Sequence, residues 1–307
     1  MKYPCLKQGI KPSERLLPWL GEIGKVQTST KVATSWKLRF LDILPDLKKA
    51  VAALNSTDIP WIMLKGPVLA QKAYGSVFLR SFSDIDIYVK PQDFGKVLEV
   101  LISIGGHHRK GSEPELHEIA QFDSGLHIEV HRRLSREGWY DESLYSRMFE
   151  NIFMVDVGDL HIPTAADELH AIYMALHAFN HSFLLENHWA VDLAMFIIVS
   201  NIDVSMLLET SRACGIHKIM YTSLALASEI LDNFELSVKS PELSIALNIF
   251  LVRKIAGADA TAQKYLSWTI RAVGAPNARA TVSWMSVKMY RKLCQKCQFL
   301  NTLSFKN

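Results

Sequence analysis

The sequence predicts an α/β (α+β) core preceded by a helical segment and followed by a mostly helical C-terminal region. Three observations predict it. An apolar run at 61–64 passes through Lys65-Gly66-Pro67 into a helix-period segment, two strictly alternating segments stand at 84–89 and 126–131, and nearly everything after Pro163 has helical periodicity. Strands alternating with helices and then giving way to helices indicate an α/β order.

The elements follow in order. From Pro12 to Leu54 the pattern is helical, including L-R-F-L-D-I-L-P-D-L-K-K-A-V-A-A-L, where Pro45 predicts a kink or a break. This segment is expected to pack on the sheet. Trp61 to Gly66 reads as strand and tight turn, with Pro67 at the favoured first helical position. The strand at Asp84, the helix P-Q-D-F-G-K-V-L-E-V-L, the strand at Glu129 and an apolar alternation near F-M-V-D-V complete the core. Gly105-Gly106 and Gly111-Ser112 punctuate its turns. Beyond Pro163, Thr164 to Asp167 resembles a capping box. The expected division is 1–58 as a helical segment packed on the core, 59–162 as the core, and 163–307 as a helical domain.

Ser83 to Val89, S-D-I-D-I-Y-V, carries the chemistry. Alternation puts Asp84 and Asp86 on one strand face, and neighbouring carboxylates repel unless a cation lies between them. Hard oxygen ligands of this kind suit Mg²⁺. The alternative is an edge strand whose polar side faces water. The helix start behind Lys65-Gly66 offers free N–H groups and a positive dipole end to phosphate oxygens, although a lone Lys-Gly is also a common surface turn. In L-H-I-E-V-H the residues His127, Glu129 and His131 share one face, so Glu129 can join the two aspartates if the strands pair.

These residues, L-K-G-P-V-L-A, A-Y-G, L-R-S-F-S-D-I-D-I-Y-V and I-E-V-H-R-R-L, resemble the nucleotidyltransferase superfamily with the polymerase-β-like minimal fold. Within it they are most similar to the bacterial family of uncharacterised nucleotidyltransferases. The likeness is close over about 60–135 and looser to about 200. It implies a nucleotidyltransferase-fold mixed sheet with helices on one side, Asp84 and Asp86 as ligands of Mg²⁺, Glu129 as third acid, and Lys65-Gly66 near the nucleotide phosphates. Ser83 and Arg80 flank the motif and complete the expected nucleotide-binding set, with a structural ion pair as the alternative for Arg80. Two departures stand out: Lys65-Gly66-Pro67 replaces the usual Gly-Ser, and the third acid is Glu rather than Asp.

The activity implied is transfer of a nucleoside monophosphate, AMP from ATP, to a hydroxyl or phosphate acceptor at a two-metal site. Glu129 serves there as metal ligand or general base. A nucleotide-binding regulator with the same fold is the competing reading, and a metallohydrolase built on His177 and His181 ranks last. Those two histidines and His170 fall near one helical stripe, where polar contacts in a cleft or core are the commoner role. In H-A-F-N-H…H-W-A-V-D, Asp192 either orients a histidine or holds two helices together.

Composition excludes some classes. With 34 basic and 31 acidic residues, net charge +3, the chain lacks the excess expected of a polynucleotide binder, so a small molecule, peptide or protein acceptor is expected. No apolar leader or span-length run is evident, and a cytoplasmic location is expected. Four cysteines, Cys5, Cys214, Cys294 and Cys297, are too few for a disulfide framework, and the lone C-x-x-C reads as a half-buried helical pair rather than zinc ligands. The basic amphipathic stretch 287–300 fits a membrane surface, an acidic partner or a packed terminal helix.

Overall fold

The computed structural model describes residues 4–8, 10–25, 30–135, 140, 142–183, 187–234 and 270. In chain order, β1 (Cys5–Leu6) leads through a 3₁₀ turn at Glu14–Leu16 into α1 (Leu17–Glu22) and the long α2 (Thr30–Asn55). The core follows as β2 (Trp61–Met63), α3 (Pro67–Tyr74), β3 (Ile85–Val89), α4 (Phe94–Ser103), β4 (His107–Lys110), β5 (His117–Gln121) and β6 (His127–His131). Then come α5 (Glu142–Glu150), β7 (Ile152–Val157), β8 (Leu160–Ala165), α6 (Asp167–Asn180), α7 (His188–Val199), α8 (Val204–Ala213), α9 (His217–Ile230) and β9 (Leu231–Asp232). Stretch 287–300, with Cys294 and Cys297, lies outside the described residues.

Five strands form one sheet in the order β2-β3-β6-β5-β4. It is mixed: β3 and β6 run parallel, while the other three pairs are antiparallel. Alternation along β3 explains how the sheet is covered. Ile85, Ile87 and Val89 join a buried cluster with Trp36, Phe40 and Leu47 of α2 and Val97 and Leu101 of α4. On the opposite face Tyr88 joins a second cluster with Ile62, Leu64 and residues of α6, α7 and α9. Helices therefore cover both faces, not one side as the resemblance implied. The reason is that β3 is buried along its whole length and needs a second apolar layer.

Local expectations fare differently. Of the kink or break expected at Pro45, no break occurs, and α2 continues through it. The carbonyl that proline leaves without its helical partner belongs to Leu41, a residue on the exposed side of α2. Thr164 is not a helix cap: it lies in β8, donates to the Met63 carbonyl at 2.8 Å, and leaves Ala166 as N-cap without a side-chain bond. Asp167 instead pairs with Lys72 of α3. The F-M-V-D-V strand, β7, forms a separate hairpin with β8 rather than joining the main sheet. Strands β4 and β5 add to the expected strands, and His107–Lys110 is polar and exposed throughout, with no alternation to announce a strand.

The expected boundary at 162/163 falls inside β8, and α6 shares a core with β2 and β3. Cys214 is buried. Among the described residues no single helix is long and apolar enough to cross a membrane.

His170 of α6 is fully buried, with its ring centroid 4.4 Å from that of Phe196. Burial, with the nearby Lys72 charge, pushes its pKa down to about 3. The unfolded chain therefore binds a proton below about pH 6.5 that the folded chain refuses, so stability falls as pH drops from there toward 3. Between pH 7 and pH 5 this group should cost the protein roughly 2 kcal/mol. Urea unfolding at both pH values should show His170→Gln losing that much less than the unaltered protein, and equal losses would refute the assignment.

Candidate active site

The site begins at the β2–α3 turn. Gly66 has φ 61° and ψ −131°, and a Cβ there would sit 3.3 Å from Ile85 Cγ1. A side chain would be strained and crowded, so glycine lets the turn approach the β3 strand closely. Pro67 then starts α3 in its fixed φ, and Lys65 is left projecting beside β3.

Asp86 is the centre. It is 2% exposed, its Oδ2 lies 2.7 Å from Lys65 Nζ, and its Oδ1 lies 2.9 Å from His131 Nε2. Burial alone would raise the carboxyl, but the charge of Lys65 and the bond to His131 hold it far below the usual carboxylate range. Burial likewise opposes charge on His131, while its bonds to Asp86 and Glu129 raise its pKa. Tyr88 stacks on the His131 ring at 4.7 Å and donates to Tyr173 Oη at 2.6 Å, which fixes the imidazole from behind.

The parallel register sets Glu129 directly beside Asp86. Asp84, one residue before β3, accepts from Ser83 Oγ at 2.5 Å, and Ser83 accepts from Arg15 Nη2 at 3.0 Å. Oxygens of Asp84, Asp86 and Glu129 all lie within 4.8 Å of one another. A cleft of about 390 Å³ opens over them, lined also by Arg15, His117 and His177. That volume falls within the range of small-ligand pockets. The residues fit a hard dication. Three carboxylates supply only oxygen donors, and the buried Asp86 Oδ2 touches Lys65 without a well-directed hydrogen bond.

The remaining expected residues separate by location. Lys65, Asp84, Asp86 and Glu129 line the cleft, Ser83 bonds to Asp84 beside it, and Gly66 and Arg80 line a small adjoining pocket that shares Lys65, Asp84 and Asp86. Arg80 is turned into an ion pair with Asp192, Nη2 to Oδ2 at 2.7 Å and Nε to Oδ1 at 3.2 Å, while Nη1 donates to the Ser81 carbonyl. Tyr74 donates to the same carboxylate at 2.6 Å. Asp192 thus ties α7 to α3 and to the approach to β3. His177 of α6 has its Nε2 3.3 Å from Lys65 Nζ and its ring 4.7 Å from that of His181, which caps the helix. Neither belongs to a three-ligand group among the described residues. An ammonium rather than a carboxylate stands beside His177, and burial with that charge keeps its pKa well below the usual value.

Arg15, His117, His131 and His177 were not singled out for this site by sequence reasoning. For His131 a signal existed, since its alternation with Glu129 was visible. Arg15 is brought in by the 3₁₀ turn, which nothing in its neighbourhood announces.

Residues 25–232 match the model of a family described as uncharacterised nucleotidyltransferase. The chain belongs to this family. The five-stranded mixed sheet with its flanking helices meets the expectation of a nucleotidyltransferase fold. Comparison with curated proteins gives no match. Among solved structures, the chain is similar to ANT(2'')-Ia in complex with adenylyl-2''-tobramycin, at 12% identity and TM-score 0.39 over 54% of this chain and 92% of that one. It is similar to the lincosamide antibiotic adenylyltransferase LnuA, lincomycin-bound, at 15% identity and TM-score 0.34 over 50% and 96%. A third is an antigenic nucleotidyltransferase-like protein from Paracoccidioides brasiliensis, at 11% identity and TM-score 0.33 over 50% and 74%.

The Arg80–Asp192 pair gives a stability prediction. Removing one partner of a buried pair strands the other charge and typically costs about 3–5 kcal/mol. Arg80→Ala and Asp192→Ala should each lower stability by that order in urea titration. A folded Arg80→Ala protein of normal stability whose nucleotide KM alone has risen would instead make Arg80 a phosphate ligand.

Proposed function

We propose that this family member is a metal-dependent nucleotidyltransferase that moves a nucleoside monophosphate, AMP from ATP, onto a hydroxyl or phosphate of an acceptor. One observation carries the reading: Asp86 and Glu129 on two adjacent parallel strands, with Asp84 at the entry to the first of them, bring three carboxylates together beside the Lys65-Gly66 turn and the start of α3. A protein that only bound nucleotide would have no need to hold mutually repelling acids together, which disfavours the regulator reading.

In the proposed reaction an acceptor oxygen forms a bond to the α-phosphorus, the bond from that phosphorus to the β-bridging oxygen breaks, and pyrophosphate leaves. Asp84, Asp86 and Glu129 would hold Mg²⁺, which supplies charge neutralisation for the triphosphate and a lower pKa for the attacking oxygen. Lys65 shares its charge between Asp86 and the cleft, where it can meet a phosphate oxygen together with the free N–H groups of α3. Arg15, anchored on Ser83 at the cleft edge, adds a second cation toward the same phosphates. Glu129 either completes the ion's ligands or accepts the acceptor's proton. Such catalysis rests on positioning and electrostatics more than on covalent chemistry. A small molecule, peptide or protein is the acceptor class proposed.

Labelled ATP, Mg²⁺ and cell extract should yield pyrophosphate and a labelled product identifiable by mass spectrometry. Nucleotide binding without pyrophosphate release would favour the regulator. Asp86→Asn should lower turnover by about 10² to 10³ or more with the fold retained. Glu129→Gln should reduce kcat with ATP affinity kept, and Glu129→Asp should restore part of it, because the charge survives on a shorter arm. Near-normal turnover in folded Asp86→Asn would end the carboxylate assignment.

Lys65→Ala should impair use of the nucleotide more than of the acceptor. The loss appears in nucleotide KM if the contact is equal in ground and transition states, and in kcat if it strengthens on the way. Unchanged nucleotide kinetics would take Lys65 out of the phosphate site.

A further inference from the structure

Glu129 has neighbours that the three-acid reading leaves unused. Strands β5 and β6 pair antiparallel with His117 opposite His131 and Ile119 opposite Glu129. Alternation therefore sets His117, Glu129 and His131 on one face of two hydrogen-bonded strands. Glu129 Oε2 lies 3.4 Å from His131 Nε2 and 3.7 Å from His117 Nε2. The two imidazoles stack with centroids 4.9 Å apart and planes at 29°. Space for the His117 ring comes from Gly111, where a Cβ would meet His117 Nε2 at 2.6 Å and its carbonyl oxygen at 2.5 Å. The glycine is what allows this ring position.

We propose that His117, Glu129 and His131 form a binding site for a transition-metal dication of the zinc type, beside the three-acid site and sharing Glu129 with it. The donor set argues for this class of ion. Two imidazole nitrogens and one carboxylate oxygen suit zinc, cobalt and their neighbours, whereas magnesium prefers oxygen alone. Distances argue the same way. A four-coordinate zinc bound at about 2.0–2.1 Å places neighbouring ligand atoms roughly 3.4 Å apart. The 3.4 and 3.7 Å separations from Glu129 Oε2 are close to that geometry.

The three donor atoms all fall within 4.8 Å of one another, and the side chains are 12%, 24% and 13% exposed in sequence order, so the group is largely withdrawn from water. Three protein ligands facing a cleft leave a further position for water or a substrate atom. Binding displaces the proton that His131 Nε2 shares with Asp86 Oδ1, and that proton goes to solvent. The ion would then border Asp86 Oδ1, while Lys65 remains at Oδ2.

The test uses the full-length protein without nucleotide, so a failure to transfer nucleotides leaves it unaffected. Titration with Co²⁺ should develop the intense visible bands of a four-coordinate ion at one per chain, and calorimetry should record Zn²⁺ binding that excess Mg²⁺ does not displace. Loss of a ligand in His117→Gln should weaken Zn²⁺ binding by at least about tenfold, since even outer-shell partners are worth that much. Asp84→Asn, outside the three ligands, should retain the bands. X-ray absorption on the unaltered, zinc-loaded protein should show two imidazoles, a readout that needs no variant to fold. Absence of Zn²⁺ binding, fewer than two imidazoles, or His117→Gln binding as tightly as the unaltered protein would each overturn the site. Loss of the bands in Asp84→Asn with retention in His117→Gln would assign the ion to the acids.

Discussion

Keeping the Asp86 carboxylate ionised while it is almost sealed from water is the constraint around which the cleft is built. A buried charge is tolerated only when partners replace its hydration, and an unpaired one costs several kcal/mol. Lys65 and His131 supply that replacement from two different elements, one at each oxygen. Each partner needs its own support. Lys65 is positioned by a glycine turn that no side chain could occupy without crowding Ile85, and His131 is held by the ring of Tyr88. The Tyr88 hydroxyl in turn bonds to Tyr173 of α6, so the helical layer is tied into the site.

That layer does more than close the core. The helices after β8 cover the face of β3 that carries Asp86, and α6 brings His177 against Lys65. A second buried ion pair, Arg80 with Asp192, locks α7 to the segment that enters β3. Apolar packing and paired charges thus cooperate: packing excludes water, and exclusion strengthens the electrostatics that the acids depend on. A cleft lined by such fixed charges is preorganised toward a phosphate chain and its cation.

Legibility in the sequence varied with how local each signal was. The strand at Asp84, the turn at Lys65-Gly66 and the strand at Glu129 could be read because alternation and turn chemistry act over a few residues. Strand β4 could not, since H-H-R-K has no apolar face and pairs only because β5 offers it an edge. Thr164 misled for a related reason. Its spacing to Asp167 suits a helix cap, but a long-range bond to Met63 holds it in a strand. Pro45 was expected to kink or break a helix, and the helix continues through it without a break.

By itself the sequence determined which acids could share a face, where a phosphate-accepting helix start could form, and the family resemblance those motifs carry. Period-two alternation is a property of the backbone, so Asp84 with Asp86 and Glu129 with His131 followed without knowledge of any neighbour. Tertiary structure alone decided how these faces meet. Parallel pairing placed Glu129 beside Asp86, antiparallel pairing placed His117 opposite His131, and the N-terminal turn carried Arg15 to Ser83. It also sent Arg80 into Asp192, more than a hundred residues away. Strand register and the choice among charged partners are set by burial across the whole fold, and no short stretch of sequence contains that information.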